Sequence, residues 1–329
     1  MQYSKNIRLD PPSLPKGGGA ITNIGGKIGA VGPDGAATLS LPLPITAGRG
    51  YSPSISLNYS NQAGNGPFGI GWFIGLPSIS RRTHIGVPTY GPADEFVAPD
   101  GEVLVPLSDD KANLVVESRE TLLETTLNTT FNVTTYRSRV EHDFSRFEYW
   151  QPEYGENAND FWVCYSPDGQ AHLLGYESQA RAEASADNTH TAQWLLNASV
   201  SATGEQIWYL WQSENDDNCS FEEKSAHTNA TAQRYLSEVY YGNLKAGRTF
   251  PCLNGQDALN AGWLFILIFD YGTRSTTVTD VPGFTASVQW PCRRDCFSDY
   301  SYGSDLRTRR LCRQILIESP RIIQTLLSR

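Results

Sequence analysis

The sequence is poor in several of the things that carry chemistry. It has one methionine, five histidines and no C-x-x-C pair. None of His84, His142, His172, His190 and His227 falls in H-E-x-x-H or in a spaced ligand pair, so the zinc-hydrolase pattern is absent. No G-x-S-x-G elbow is present to support a hydrolase serine. The longest apolar run, Trp263 to Phe269, is far below the roughly 20 residues of a membrane-spanning helix. Positive charge is scarce: 26 Lys and Arg face 35 Asp and Glu, for a net charge of -9. That balance argues against nucleic acid or an anionic membrane as the main partner, since both are bound through Lys and Arg. Met1 to Asp10 lacks an apolar segment, which leads us to expect synthesis without a classical signal peptide. The six cysteines are Cys164, Cys219, Cys252, Cys292, Cys296 and Cys312. Cys292 and Cys296 have no histidine nearby, so free thiols are expected and no metal or cofactor.

What is present points to strands. There are 29 Gly and 19 Pro for turns, and 8 Trp, 16 Tyr and 13 Phe for pleated surfaces. Hydrophobic residues reach 40%, enough for a packed core. Leu39, Leu41 and Leu43 alternate with polar or proline positions, and Pro42 and Pro44 confine that segment to an edge. Ile55, Leu57 and Tyr59 share a second face, and Trp72, Ile74 and Leu76 a third. Further strands are predicted at 147–150, 161–165, 172–174, 207–211, 235–241, 263–269 and 286–290. Asp100-Gly101 and Asp168-Gly169 are hairpin signals, because glycine accepts positive φ. Short helices are expected at Gln179 to Ala184 and around Ala230 to Tyr235. The class is all-β, with few short helices.

Candidate sites are few. Gly64-Asn65-Gly66-Pro67-Phe68-Gly69 matches G-x-G-x-x-G in letters. A dinucleotide site needs a strand before it and a helix after it, whose N–H groups meet the pyrophosphate. Pro67 removes one such N–H and Gly71-Trp72 continues as strand, so Gly64, Gly66, Pro67, Gly69, Gly71 and Trp72 are expected to form a tight structural turn. Glu141, His142, Asp143 and Glu148 could serve acid–base chemistry only if burial shifted them, and a solvated turn is the simpler reading. Arg307, Arg309, Arg310 and Arg313 form a basic run, either an interaction site or a solvated strand face. Trp208, Tyr209 and Trp211 suggest a sugar-binding platform, weighed against ordinary sheet packing.

Several strings resemble one family. They include LPKGGGAI (Leu14 to Ile21), GPDGAATLSLPLPITAGRG (Gly32 to Gly50), SLNYSNQAGNGPFGIGW (Ser56 to Trp72), DEFVAPDGEVL (Asp94 to Leu104), LIFDYG (Leu267 to Gly272) and RTRRLCRQIL (Arg307 to Leu316). They are similar to the N-terminal domain family of SpvB, the Salmonella virulence plasmid 65 kDa B protein, and of the TcaC/TcB subunits of insecticidal toxin complexes. The resemblance implies a multi-stranded antiparallel sheet forming part of a toxin-complex shell wall. It implies RHS-repeat TcC-like and pore-forming TcA-like partners, no enzymatic role for this domain, and release from the bacterial cytoplasm as part of a toxin. It divides the chain into a Gly/Pro-rich leader (1–35), the β domain (36–316) and a divergent tail (317–329). The family continues where this tail stands, so a shortened form with open, self-associating sheet edges is expected. The transferase of the SpvB kind needs an E-x-E pair, and the sequence has none. Two other readings are a carbohydrate- or surface-binding β module, and the targeting domain of an ADP-ribosylating toxin.

Overall fold

The computed structural model describes residues 27–28, 35–154, 159–183, 190–228, 230–260, 262–274 and 290–319. A small sheet comes first, with β1 (Lys27–Ile28), β2 (Thr38–Pro42), β3 (Ser56–Ser60) and β4 (Trp72–Ile74) in sequential order. The rest of the leader lies outside the described residues. The main sheet has fourteen strands among the described residues. Its first part comprises β5 (Ser78–Arg81), β6 (Phe96–Val97), β7 (Val103–Pro106), β8 (Val116–Leu122), β9 (Thr125–Ser138), β10 (Arg146–Pro152), β11 (Phe161–Tyr165), β12 (Ala171–Leu174), β13 (Arg181–Glu183) and β14 (Thr191–Val200). Its second part comprises β15 (Gln206–Ser213), β16 (Arg234–Asn243) and β17 (Trp263–Asp270). After the separate hairpin of β18 (Phe297–Asp299) and β19 (Leu306–Thr308), β20 (Gln314–Glu318) rejoins it beside β17.

The first part closes on itself. Strands run β12-β11-β10-β9-β7-β6-β5-β14, and β12 pairs again with β14 through Ala171↔Val200 to Leu174↔Leu196. The result is an eight-strand ring, which the alternation of single strands did not foretell. Both hairpin signals are used: Gly101 (φ +91) turns β6 into β7, and Gly169 (φ +83) turns β11 into β12. From β14 the sheet continues as a wing, β15-β16-β17-β20.

Successive residues along β11 alternate between two cores. Trp162 and Cys164 point into the ring with Phe96, Tyr149 and Trp194. Phe161 and Val163 pack outside with Phe131, Trp150, Trp208 and Trp263, under the segment Phe250–Leu259. Phe96 touches the rings of Tyr136, Tyr149, Trp162 and Trp194 at centroid distances of 5.0–6.0 Å. Those residues sit on four different strands, so the lumen is filled with aromatic side chains and is not a channel. Arg81 enters this interior, its guanidinium 5.1–5.5 Å from the Tyr90, Phe96 and Trp194 rings. Its charge is met by Asp94 at 2.9 Å.

Three sequence expectations are corrected. Gln179 to Glu183 is not an α-helix: a 3-10 helix at Ser178–Ala180 leads directly into β13, and Ala184 lies outside the described residues. Arg181 and Glu183 are both buried there, and the extended backbone carries them inward to each other. Ala230 to Tyr235 is irregular chain running into β16, and the helices lie instead at α1 (Phe221–Ala226) and α2 (Gln256–Asn260). Arg307 to Leu316 is not one strand. It is split between β19 and β20 by Arg309–Arg313, whose first two guanidiniums are pulled inward as described below. β20 runs to Glu318, two residues past the 316 boundary drawn from sequence. The strand expected at 286–290 lies outside the described residues, Trp290 excepted.

Candidate functional site

The glycine hairpin joins β3 to β4. Gly71 donates to the Gly64 carbonyl at 2.9 Å, and Gly69 donates to that of Gly66 at 3.0 Å. Gly69 and Gly71 have φ of +101 and +79. A Cβ on Gly71 would lie 2.5 Å from the Tyr59 ring and 2.9 Å from the Ser60 carbonyl, so only glycine fits. Trp72 packs at 5.2 Å from Tyr59. No helix follows, and the N–H groups point back into the turn, so a phosphate has no cradle.

The hairpin is held from the far end of the chain. Arg293, with a side chain 3% exposed, donates to the Gly66 carbonyl and to Asn65 Oδ1, both at 2.9 Å. Asp295 pairs with Arg293 at 2.7 Å and accepts from Asn65 at 3.2 Å. Hydrogen bonds from Arg293 and Asn65 hold the Asp295 carboxyl well below its usual range. The Cys312 N–H donates to the Pro67 carbonyl at 2.7 Å. Sequence reading missed Arg293 and Asp295, because their partners are more than 200 residues away.

The arginine run forms a second non-local clasp. Arg310 is fully buried and spends all five of its N–H groups. Its Nε donates to Glu214 at 2.9 Å, and its terminal nitrogens donate to the carbonyls of Asp217, Trp290 and Asn215 and to Asn215 Oδ1. Glu214 also accepts from the Tyr235 hydroxyl and, at 2.9 Å, from the Arg309 N–H. Arg307 grips Glu223 with two bonds of 2.8 and 2.7 Å, and Arg309 shares it at 2.9 Å. These bonds, Arg307 first, bring the Glu223 carboxyl down to about 2. Glu223 sits in α1, where Ser220 caps the helix by accepting the Glu223 N–H at 3.3 Å. The sequence alternatives of an interaction site or a solvated strand face therefore fail for Arg309 and Arg310. Both are internal because each guanidinium meets a carboxylate, Arg310 the buried Glu214 and Arg309 the half-buried Glu223. Of the four, Arg313 alone is exposed.

The other candidates do not converge. Trp208 and Tyr209 are buried on opposite faces of β15, and the Trp211 indole donates to the Leu196 carbonyl at 2.8 Å. The sugar platform is thereby corrected: successive residues of one strand point to opposite faces, so Trp208 shares no surface with Tyr209 and Trp211, and Trp208 and Tyr209 are both buried. Glu148 is buried against Arg119 at 2.9 Å and Arg146 at 3.3 Å, while His142 faces Asp100 at the surface. Among the described residues no group of three or more His, Cys, Asp and Glu side chains is arranged to hold a metal ion, and no helix is long and apolar enough to cross a membrane.

An aromatic-filled ring, a sheet wing growing from one of its strands, and two ionic clasps that bind distant chain segments define a β-barrel module with an attached wing. The chain belongs to the family described as Salmonella virulence plasmid 65kDa B protein, SpvB, whose model matches residues 31–319. It is 42% identical over 312 residues to the mono(ADP-ribosyl)transferase SpvB of Salmonella typhimurium, covering 94% of this chain and 51% of that protein. The chain thus spans about half the length of the curated relatives it matches. A crystal structure of TcdB2-TccC3 superposes with a TM-score of 0.86 at 51% identity, over 98% of this chain and 15% of that one. The Photorhabdus luminescens Tc holotoxin pore gives 0.85 at 52%, over 97% of this chain and 14% of that one. The N-terminal domain of the effector SpvB from Salmonella typhimurium gives 0.78 at 42%, over 85% of this chain and 87% of that domain.

Proposed function

We propose that this chain is a non-catalytic structural module of a bacterial toxin of the Tc/SpvB type, contributing barrel and wing to a shell that encloses a toxic polypeptide. The observation that carries this reading is the match along 98% of the chain to a TcdB2-TccC3 complex at a TM-score of 0.86. In this reading its partners are an RHS-repeat TcC-like subunit and a pore-forming TcA-like subunit, and it acts after release from the cell. The structural unit runs from residue 36 through the end of β20, with the leader and tail flanking it. The relatives named as ADP-ribosyltransferases match over about half their length, and the SpvB structure that matches is the N-terminal domain. In this reading the transferase chemistry of those relatives belongs to the half that this chain does not match.

Two measurements test the reading. Incubation with labelled NAD and actin is expected to transfer no label, and NAD-dependent labelling would overturn the non-catalytic assignment. Co-expression with a TcC-like subunit is expected to give a complex that co-elutes in gel filtration. The outer edge of β20 has no strand beside it among the described residues. An open edge pairs with another chain, so light scattering is expected to show self-association without a partner. A concentration-independent monomer would remove that part of the proposal.

A further inference from the structure

The two clasps meet at three cysteines. Cys292 and Cys296 bracket Arg293 and Asp295, the pair that grips the glycine hairpin, and their sulfurs are 3.6 Å apart. Cys219 lies on the third side, its thiol donating to the Asp217 carbonyl at 3.6 Å. Neighbouring contacts fix this approach: Asn218 donates to the Trp290 carbonyl at 2.9 Å, and Arg310 bridges the carbonyls of Asp217 and Trp290. All three cysteines are half-buried and so within reach of a small reagent, whereas Cys164 and Cys252 are buried. Cys312 stands apart, its thiol directed to the Gln314 carbonyl.

We propose that Cys292 and Cys296 form a reversible disulfide that closes the Arg293 loop and so fixes the residues that grip the glycine hairpin, with Cys219 placed as the exchange thiol. The sulfurs need to close by about 1.5 Å to reach bonding distance, within the range of side-chain rotation. The oxidant is a low-molecular-weight disulfide of the glutathione class. The Cys296 thiolate attacks one glutathione sulfur and one glutathione leaves as thiol. The Cys292 thiolate then attacks the Cys296 sulfur of the mixed disulfide, and the second glutathione leaves. Two protein S–H bonds and the oxidant's S–S bond are lost. One protein S–S bond forms, and the two electrons and two protons end on two glutathione thiols. Attack of the Cys219 thiolate on Cys292 then expels Cys296 and moves the bond to Cys219–Cys292 with no net redox change. That second disulfide ties the segment before α1 to the segment before β18, along the line already held by Arg310. Burial holds the Cys292 and Cys296 thiols above their ordinary range, so oxidation accelerates as pH rises.

The test uses the full chain in glutathione buffers of increasing oxidised fraction at pH 8, followed by alkylation and peptide mass mapping. Two of the six thiols are expected to be lost, in a Cys292–Cys296 or Cys219–Cys292 disulfide. Cys219→Ser is expected to retain the first disulfide alone, and Cys292→Ser to abolish both. Full alkylation of all six thiols in oxidised glutathione overturns the proposal, as does any disulfide through Cys164, Cys252 or Cys312. Should Cys292→Ser fail to fold by circular dichroism, the map of the unsubstituted chain decides by itself.

Discussion

The ring and the clasps hold the same chain by opposite means. Inside the ring, Trp162, Trp194, Tyr149 and Phe96 pack against one another around the Arg81–Asp94 pair, and most of the stability there comes from apolar area removed from water. At the clasp, Arg310 and Glu214 are both wholly buried, and the contact holds only because every donor and acceptor is satisfied. The aromatic contacts themselves carry no titrating partner, whereas the clasp tolerates no loss of one. A wall can therefore be robust where strands close on each other and conditional where its two ends are tied.

Substitutions sharpen that contrast. The largest effect is expected at Trp162→Ala, which leaves a cavity in the lumen and costs about 3–5 kcal/mol. This is a large part of the roughly 5–15 kcal/mol available to a domain, and urea unfolding followed by tryptophan fluorescence measures it. Arg310→Leu is expected to come close, at about 3–4 kcal/mol, because it strands the Glu214 charge. Adding Glu214→Gln is expected to recover at least half of that loss. Equal cost in the single and double variants would show that the stranded charge is not the cause. Gly71→Ala is expected to cost about 2 kcal/mol, from positive φ and the Tyr59 contact, and to loosen the small sheet first. Hydrogen exchange of the 56–74 amides reads that directly.

The smallest expected effect is the titration of Glu223. Its folded carboxyl is depressed to about 2, so its contribution is complete above the unfolded value near 4.3 and fades as pH falls from there to about 2. Solvent screening keeps the amount modest. Denaturation midpoints at pH 5 and pH 3 are expected to differ less in Arg307→Gln than in the parent chain. An identical drop in both would locate the acid sensitivity elsewhere.

How much of this was legible from sequence depended on where the partners lie. β11 and the two Asp-Gly hairpins were readable, because a five-residue run or a turn dipeptide carries its own signal. β14, Thr191–Val200, was missed because both of its faces are buried, which erases alternation. β9 was missed for another reason. Its fourteen residues are rich in Thr and Asn, which dilute the apolar rhythm of Leu127, Phe131 and Val133. The closure of β12 on β14 leaves no local mark. Nor did the arginine run announce its burial, since Glu214 and Glu223 lie 84–96 residues upstream. The one local sign was Ser220 three residues before Glu223, a helix-start pattern that would have placed α1 correctly.

The wing shares few backbone pairs with the ring, although side chains such as Trp208 and Tyr209 pack into cores common to both. β14 meets β15 through Ala198↔Trp208, Ser199↔Ile207 and Val200↔Gln206, whereas β15 meets β16 along nearly its whole length. In mechanical terms the first junction is a hinge and the second a stiff plate. Load applied at β20 would reach the ring through those three backbone pairs and the side chains packed across the junction. A neighbour that took hold of the free edge would have a lever on the barrel, with the far clasps limiting the swing of its arm.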